Sequence, residues 1–129
     1  MKDKLLTIAI DFDGTCVSHE YPATGNNIGA IEVLKKLSKR GHQLVLYTMR
    51  SANGLQNAIE WFIENDIVLY GVQFNPTQAQ WTSSNKCYAH LYIDDAALGC
   101  PLKSDSKISS RPFVDWVKVE KLLIKQGIL

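Results

Sequence analysis

The sequence predicts an α/β fold built on a mainly parallel sheet, and three observations carry that prediction. Short apolar runs alternate along the chain with stretches of helical period, the pattern of strand-helix-strand units. The first run, residues 5–10, has almost no polar alternation, which suits a strand covered on both faces. Three runs stop on residues able to do chemistry: Asp11 and Asp13 after the first, Thr48 after the second, Asp94 and Asp95 after a later one. Open α/β sheets place their ligands at these carboxyl ends of strands.

A chain of 129 residues is long enough for a real core and too short for two full domains, so residues 1–129 are expected to form a single domain. With 46% hydrophobic and 21% charged residues the composition is that of a soluble globular protein. A net charge of +1 gives no reason to expect affinity for nucleic acid or an anionic membrane. The few apolar residues before Asp11 are too short for a signal-peptide core or a membrane span, so the expected location is the cytoplasm. Three cysteines, Cys16, Cys87 and Cys100, lack CxxC spacing, which points to reduced thiols rather than a disulfide framework or a zinc site.

Taken in order, the elements are as follows. After Asp11, Phe12 turns back toward the core, Asp13 returns toward the pocket and Gly14 permits a tight turn. Residues 16–26 read as a polar flap in which His19 and Tyr21 stand near the pocket, with His19 expected to be solvated. Asn27 is the expected N-cap of a helix whose stripe is Ile31, Leu34 and Leu37, flanked by Ala30 and Val33 and closed by Gly41. His42 reads as structural, because it leads into a strand rather than following one. Residues 43–48 form the second strand. A second helix is expected from Asn53, with Gln56 at capping-box spacing and Leu55, Ala58, Ile59, Phe62 and Ile63 on its buried stripe, leaving Trp61 off it. Residues 67–72 read as a third strand, 73–85 as a polar connection carrying Phe74, Pro76 and Trp81, 91–93 as a fourth strand and 99–110 as loop. Asp115 caps a last helix through Trp116, Val119, Leu122 and Leu123, ending at Gly127.

The segment Asp11-Phe12-Asp13-Gly14-Thr15 resembles the first motif, Asp-x-Asp-Gly-Thr, of the haloacid dehalogenase-like (HAD) phosphatase superfamily. Thr48 resembles the hydroxyl residue after that superfamily's second strand, Lys86 its basic third motif, and the pair Asp94-Asp95 its terminal acidic motif, all in family order. The resemblance implies a Rossmann-like three-layer α/β/α sandwich with a mainly parallel central sheet. The segments 15–27 and 73–85 are too short for an inserted cap domain, so a capless member with an open site is expected. Such a site suits a small phosphate ester covered by the loops or by a neighbouring subunit, or a larger phosphorylated molecule that covers the site itself.

Acidic residues gathered in one crevice repel one another, so a bound cation is the expected occupant, and an oxygen-only donor set suits Mg²⁺ better than zinc. A phosphomonoester poses the same problem, since a carboxylate brought to 4 Å from one unit of its charge meets about 4 kcal/mol of repulsion at a surface-like dielectric. As the resemblance implies, Asp11, the backbone carbonyl of Asp13 and Asp94 would hold the metal, with Asp95 acting directly or through water. Lys86 and Thr48 would hold phosphoryl oxygens. On its reference pKa Asp11 is ionised at neutral pH and able to attack phosphorus directly, giving an aspartyl-phosphate. Asp13 is then the general acid and base. Arg50 is a candidate for a second anionic group of the substrate, with a surface ion pair as the alternative.

Other phosphate-handling sites fit less well. The chain has no Walker-type loop, and none of its cysteines has an arginine six positions on. A signalling receiver domain carries its phosphorylated aspartate at the end of a middle strand, where this chain has Thr48. The expected function is a Mg²⁺-dependent phosphohydrolase. The alternatives are a catalytically weak metal- and phosphate-binding regulatory domain and a polynucleotide 3′-phosphatase, the latter disfavoured by the neutral composition.

Overall fold

The computed structural model describes residues 4–129. Strand β1 (Thr7–Ile10) is buried along its whole length. It pairs in parallel on one side with β2 (Gln43–Leu46) and on the other with β4 (Leu91–Ile93). A two-residue strand, β3 (Gly71–Val72), extends the sheet beyond β2, giving the order β3-β2-β1-β4 with every pairing parallel. The continuous apolar run of the first strand is thus explained by its central place.

Helix α1 (Ala30–Lys39) joins β1 to β2, α2 (Ala52–Glu64) joins β2 to β3, and α3 (Trp116–Lys125) closes the described chain. Val33, Leu34 and Leu37 of α1, Ala58 and Phe62 of α2, and Val119 and Leu123 of α3 join Ile8, Ile10, Leu44, Leu46 and Phe12 in one apolar core. Asp115 caps α3 as expected, its Oδ1 accepting from the Lys118 amide at 3.2 Å. His42 is structural as expected, accepting from the Leu6 amide at 3.1 Å through Nδ1 and facing the Ile128 carbonyl at 2.9 Å through Nε2. All three cysteines are free thiols, Cys16 and Cys87 buried and Cys100 half-buried.

Several expectations are corrected. Helix α1 begins at Ala30 rather than after Asn27, because Asn27 spends its side chain on the Gly29 amide and Gly29 takes a left-handed φ of 97° at the N-cap. Helix α2 starts at Ala52, one position before the expected capping box, and no side chain caps it. Trp61 is buried, set edge-on to Phe12 at 5.7 Å between ring centroids, whereas Ile63 is exposed. The stripe facing the core is therefore Ala58, Trp61 and Phe62, an i, i+3, i+4 set rotated from the expected one. The third strand is confined to Gly71–Val72, since Asp66 adopts a left-handed φ of 56° and Val68 points to solvent. Within the expected loop 99–110, β5 (Leu102–Lys103) pairs antiparallel with β6 (Phe113–Val114). Among the described residues no helix is long and apolar enough to cross a membrane.

Candidate functional site

The parallel pairing of β1 with β4 decides where the acidic residues meet. Ile10 is in register with Ile93, and the Asp11 amide donates to the Ile93 carbonyl at 3.0 Å, so Asp11 and Asp94 leave adjacent strand ends together. Asp11, Asp94 and Asp95 each present a carboxylate oxygen, and the three oxygens lie within 4.8 Å of one another. Thr15, fully buried, ties the group together. Its hydroxyl donates to Asp11 Oδ2 at 2.8 Å and accepts from the Asp95 amide at 3.0 Å, with Asp95 Oδ1 at 3.4 Å. Trp116 donates from Nε1 to the Thr15 carbonyl at 2.7 Å, which anchors this turn to the start of α3.

This setting changes the chemistry of Asp11. Burial is the main cause of a carboxyl pKa pushed up to about 8; the Thr15 hydrogen bond opposes the rise, while Asp94 and Asp95 add to it. Burial thus works against the ionised form of Asp11, an effect that its reference pKa alone does not anticipate. A hard divalent cation fits this donor set: three oxygen ligands, no sulfur or imidazole among them, and a carboxyl that gains most from a neighbouring positive charge.

Asp13 is not part of that group through its side chain. Both of its carboxylate oxygens accept from Arg50, Oδ2 from Nε and Oδ1 from Nη2, each at 2.8 Å. The Arg50 side chain is only 1% exposed. It also donates to the carbonyls of Ala23 at 2.8 Å and Gly54 at 3.3 Å, and its guanidinium lies 5.0 Å from the Phe12 ring centroid and 4.9 Å from that of Tyr21. Of the two roles expected for Arg50, a hold on a substrate anion or an ion pair with an acid, the structure shows the ion pair, and it is buried on the arginine side rather than at the surface. The guanidinium is used inside the protein, joining the first motif, the flap and α2. The metal contact expected of Asp13 is through its backbone carbonyl, which this side-chain pairing does not involve.

Thr48 stands where the sequence places it, beyond the end of β2. Its hydroxyl accepts from the Arg50 amide at 3.1 Å, and Gln73 brackets its backbone, accepting from the amide at 2.8 Å and donating to the carbonyl at 2.6 Å. Gln73 holds a left-handed φ of 66° in doing so. Lys86 is exposed, and its Nζ lies 5.6 Å from the Tyr92 ring centroid rather than in an ion pair with Asp11. With Trp81, Tyr88 and Tyr92 it lines a groove of about 310 Å³. Of the aromatics in the flap and in the 73–85 connection, Tyr21 covers Arg50, Trp81 sets its edge against Tyr88 at 5.3 Å, and Phe74 is exposed.

One residue of the site was undervalued in the sequence. His19 is not a solvated loop residue: its Nε2 lies 2.7 Å from Asp95 Oδ2, and the two side chains are 16% and 18% exposed. Gly14 makes room for this approach. It has a φ of +83°, and a Cβ there would run into His19 Nε2 and Asp95 Oδ2. The glycine of the first motif was the available signal, although nothing local links residues 76 positions apart.

No family model and no curated protein matches this chain. Among solved structures it is similar to a conserved protein from Bacteroides thetaiotaomicron, with a TM-score of 0.77 and 33% sequence identity over 95% of this chain and 92% of that one. By that likeness the chain belongs to the same family as the conserved Bacteroides protein.

Proposed function

We propose that this protein is a Mg²⁺-dependent phosphohydrolase of the HAD-like, capless kind, with a three-layer α/β/α architecture and Asp11 as nucleophile. The observation that carries the reading is the meeting of Asp11, Asp94 and Asp95 at two adjacent parallel strand ends, in a chain whose Asp11–Thr15 segment matches the Asp-x-Asp-Gly-Thr motif. Asp11, Asp94 and Asp95 would hold the cation, which supplies the positive charge that keeps Asp11 ionised and offsets the charge of the phosphoryl group.

The chain's own residues then have separable tasks. An Asp11 oxygen forms a bond to phosphorus as the ester P–O bond breaks, and the departing alkoxide takes a proton from Asp13, which would enter this step as the carboxylic acid with one oxygen released from Arg50. Water then attacks the aspartyl-phosphate, giving its proton to Asp13 and releasing inorganic phosphate with Asp11 restored. Arg50 holds the Asp13 carboxylate in position beforehand, and a leaving group reaching Asp13 takes one of the two oxygens now held by the guanidinium. Thr48 and Lys86 hold the phosphoryl oxygens, Lys86 by swinging from the Tyr92 face on its flexible stem.

A second reading is favoured by that same grip on Asp13. With both carboxylate oxygens bound to a buried arginine, the domain would bind metal and phosphate while turning over weakly. Hydrolysis of p-nitrophenyl phosphate separates the two. The phosphohydrolase reading expects multiple turnovers that need Mg²⁺ and stop with EDTA. Mg²⁺ and phosphate binding without turnover supports the second reading.

A further inference from the structure

We propose that His19 is a positioning residue of the acidic site: by holding Asp95 Oδ2 it fixes how Asp95 faces a divalent cation, and thereby sets the affinity of the site for that cation. The inference rests on the metal-site reading above and extends it to a residue outside the cluster.

Asp95 is held at three points. Its Oδ2 accepts from His19 Nε2 at 2.7 Å, its Oδ1 lies 3.4 Å from the Thr15 hydroxyl, and its amide donates to that hydroxyl at 3.0 Å. An ionised carboxylate only accepts, so Nε2 carries the proton in this pair. Without His19 the Asp95 side chain keeps only the longer of its two contacts, and its carboxylate is free to turn within a group of like charges. His19 does not belong to the set of three ligand oxygens, so it acts through Asp95.

The loop that presents His19 is built to keep it there. Val17 bridges to both Asp13 and Asn27, the Ser18 amide donates to the Asn26 carbonyl at 3.0 Å, and the Asn26 amide donates to the Ser18 hydroxyl at 2.8 Å. Val17 and Ser18 are fully buried. An imidazole on such a braced loop loses little freedom when it grips a carboxylate, which is what a partner behind a metal ligand must do to orient it.

The test is Mg²⁺ titration by calorimetry on the wild-type chain, His19→Ala, His19→Gln, Asp95→Asn and the double variant Asp95→Asn/His19→Ala, with circular dichroism as the check on folding. Loss of such a partner typically weakens metal binding by about 10–100-fold, and that is the expected effect of His19→Ala. His19→Gln retains an N–H donor and is expected to recover most of the affinity. In the Asp95→Asn background, removal of His19 is expected to cost nothing further.

Folded His19→Ala with wild-type affinity overturns the proposal, as does an equal loss in both backgrounds. If His19→Ala fails to fold, His19→Gln decides: affinity near wild type supports the proposal, and affinity as low as that of Asp95→Asn overturns it. A wild-type chain that binds no Mg²⁺ removes the metal reading and this inference together. One that binds Mg²⁺ without hydrolysing p-nitrophenyl phosphate removes only the hydrolytic reading.

Discussion

Arg50 grips Asp13 through two parallel hydrogen bonds of 2.8 Å, with the arginine buried and the aspartate partly open to solvent. This geometry places the second aspartate of the first motif in a structural network as well as in the proposed chemistry. Breaking a buried ion pair from one side typically costs about 3–5 kcal/mol, because the remaining group is left without a partner. The solvent exposure of Asp13 puts this case at the low end. Arg50→Ala is expected to lower unfolding stability by about 3 kcal/mol, measured by urea denaturation. Arg50→Lys should recover only part of that loss, since one ammonium cannot reproduce the fork that meets Asp13, Ala23 and Gly54. A loss below about 0.5 kcal/mol, the range of an ordinary surface substitution, would contradict the network.

The pKa of Asp11 makes both stability and metal binding depend on pH. Its carboxyl titrates at about 8 in the fold against an ordinary 3.8. Between those values the folded chain keeps a proton that the unfolded chain has released. The Asp11 contribution to stability is therefore fully present below about pH 4 and is lost as pH rises through about 8. Mg²⁺ competes for the same oxygens with that proton and is expected to stabilise the protein more at pH 9 than at pH 6. At a free concentration of 100 times Kd the gain is about 2.7 kcal/mol. Thermal melts with and without Mg²⁺ across this range provide the check, and a shift independent of pH would contradict the account.

Thr15 offers a separate handle on the same carboxyl. Its hydrogen bond lowers the Asp11 pKa against the pull of burial, and its oxygen also receives the Asp95 amide. Thr15→Val keeps the shape and removes both contacts. It is expected to raise the pH midpoint of Mg²⁺ binding and to destabilise the fold by about 1–3 kcal/mol, the cost of leaving a shielded amide unpaired. Calorimetric titrations at several pH values measure the first effect and urea denaturation the second.

Lys86 tests the phosphate side of the site. It is exposed and touches Tyr92 only through its charge over the ring, so Lys86→Ala should change stability by no more than about 0.5 kcal/mol. In the proposed role it lowers kcat/KM for p-nitrophenyl phosphate by about 100-fold or more, roughly 2.7 kcal/mol of lost transition-state stabilisation, while Mg²⁺ affinity is kept. Unchanged kcat/KM would leave Lys86 as a solvated loop residue.

What could be read in the sequence and what could not divides along the range of the interactions. The central strand and the acidic residues beyond β1 and β4 were legible, because burial on both faces writes an unbroken apolar run and strand ends are local features. The buried face of α2 was misjudged by one position, since Trp61 is claimed by Phe12, just beyond the end of β1, and the helix itself carries no record of that contact. The β5–β6 pair was missed because two-residue strands have no period to detect. At the site, the Asp13–Arg50 and His19–Asp95 pairs span 37 and 76 residues, and only the folded chain brings them together.

The most direct measurement of the central claim is single-turnover hydrolysis of p-nitrophenyl phosphate by the wild-type chain and by Asp11→Asn, both with saturating Mg²⁺. The account predicts release of p-nitrophenol by the wild type. For Asp11→Asn it predicts a fall of about 10³-fold or more, because the amide cannot form the aspartyl-phosphate. Equal rates in the two proteins would contradict it.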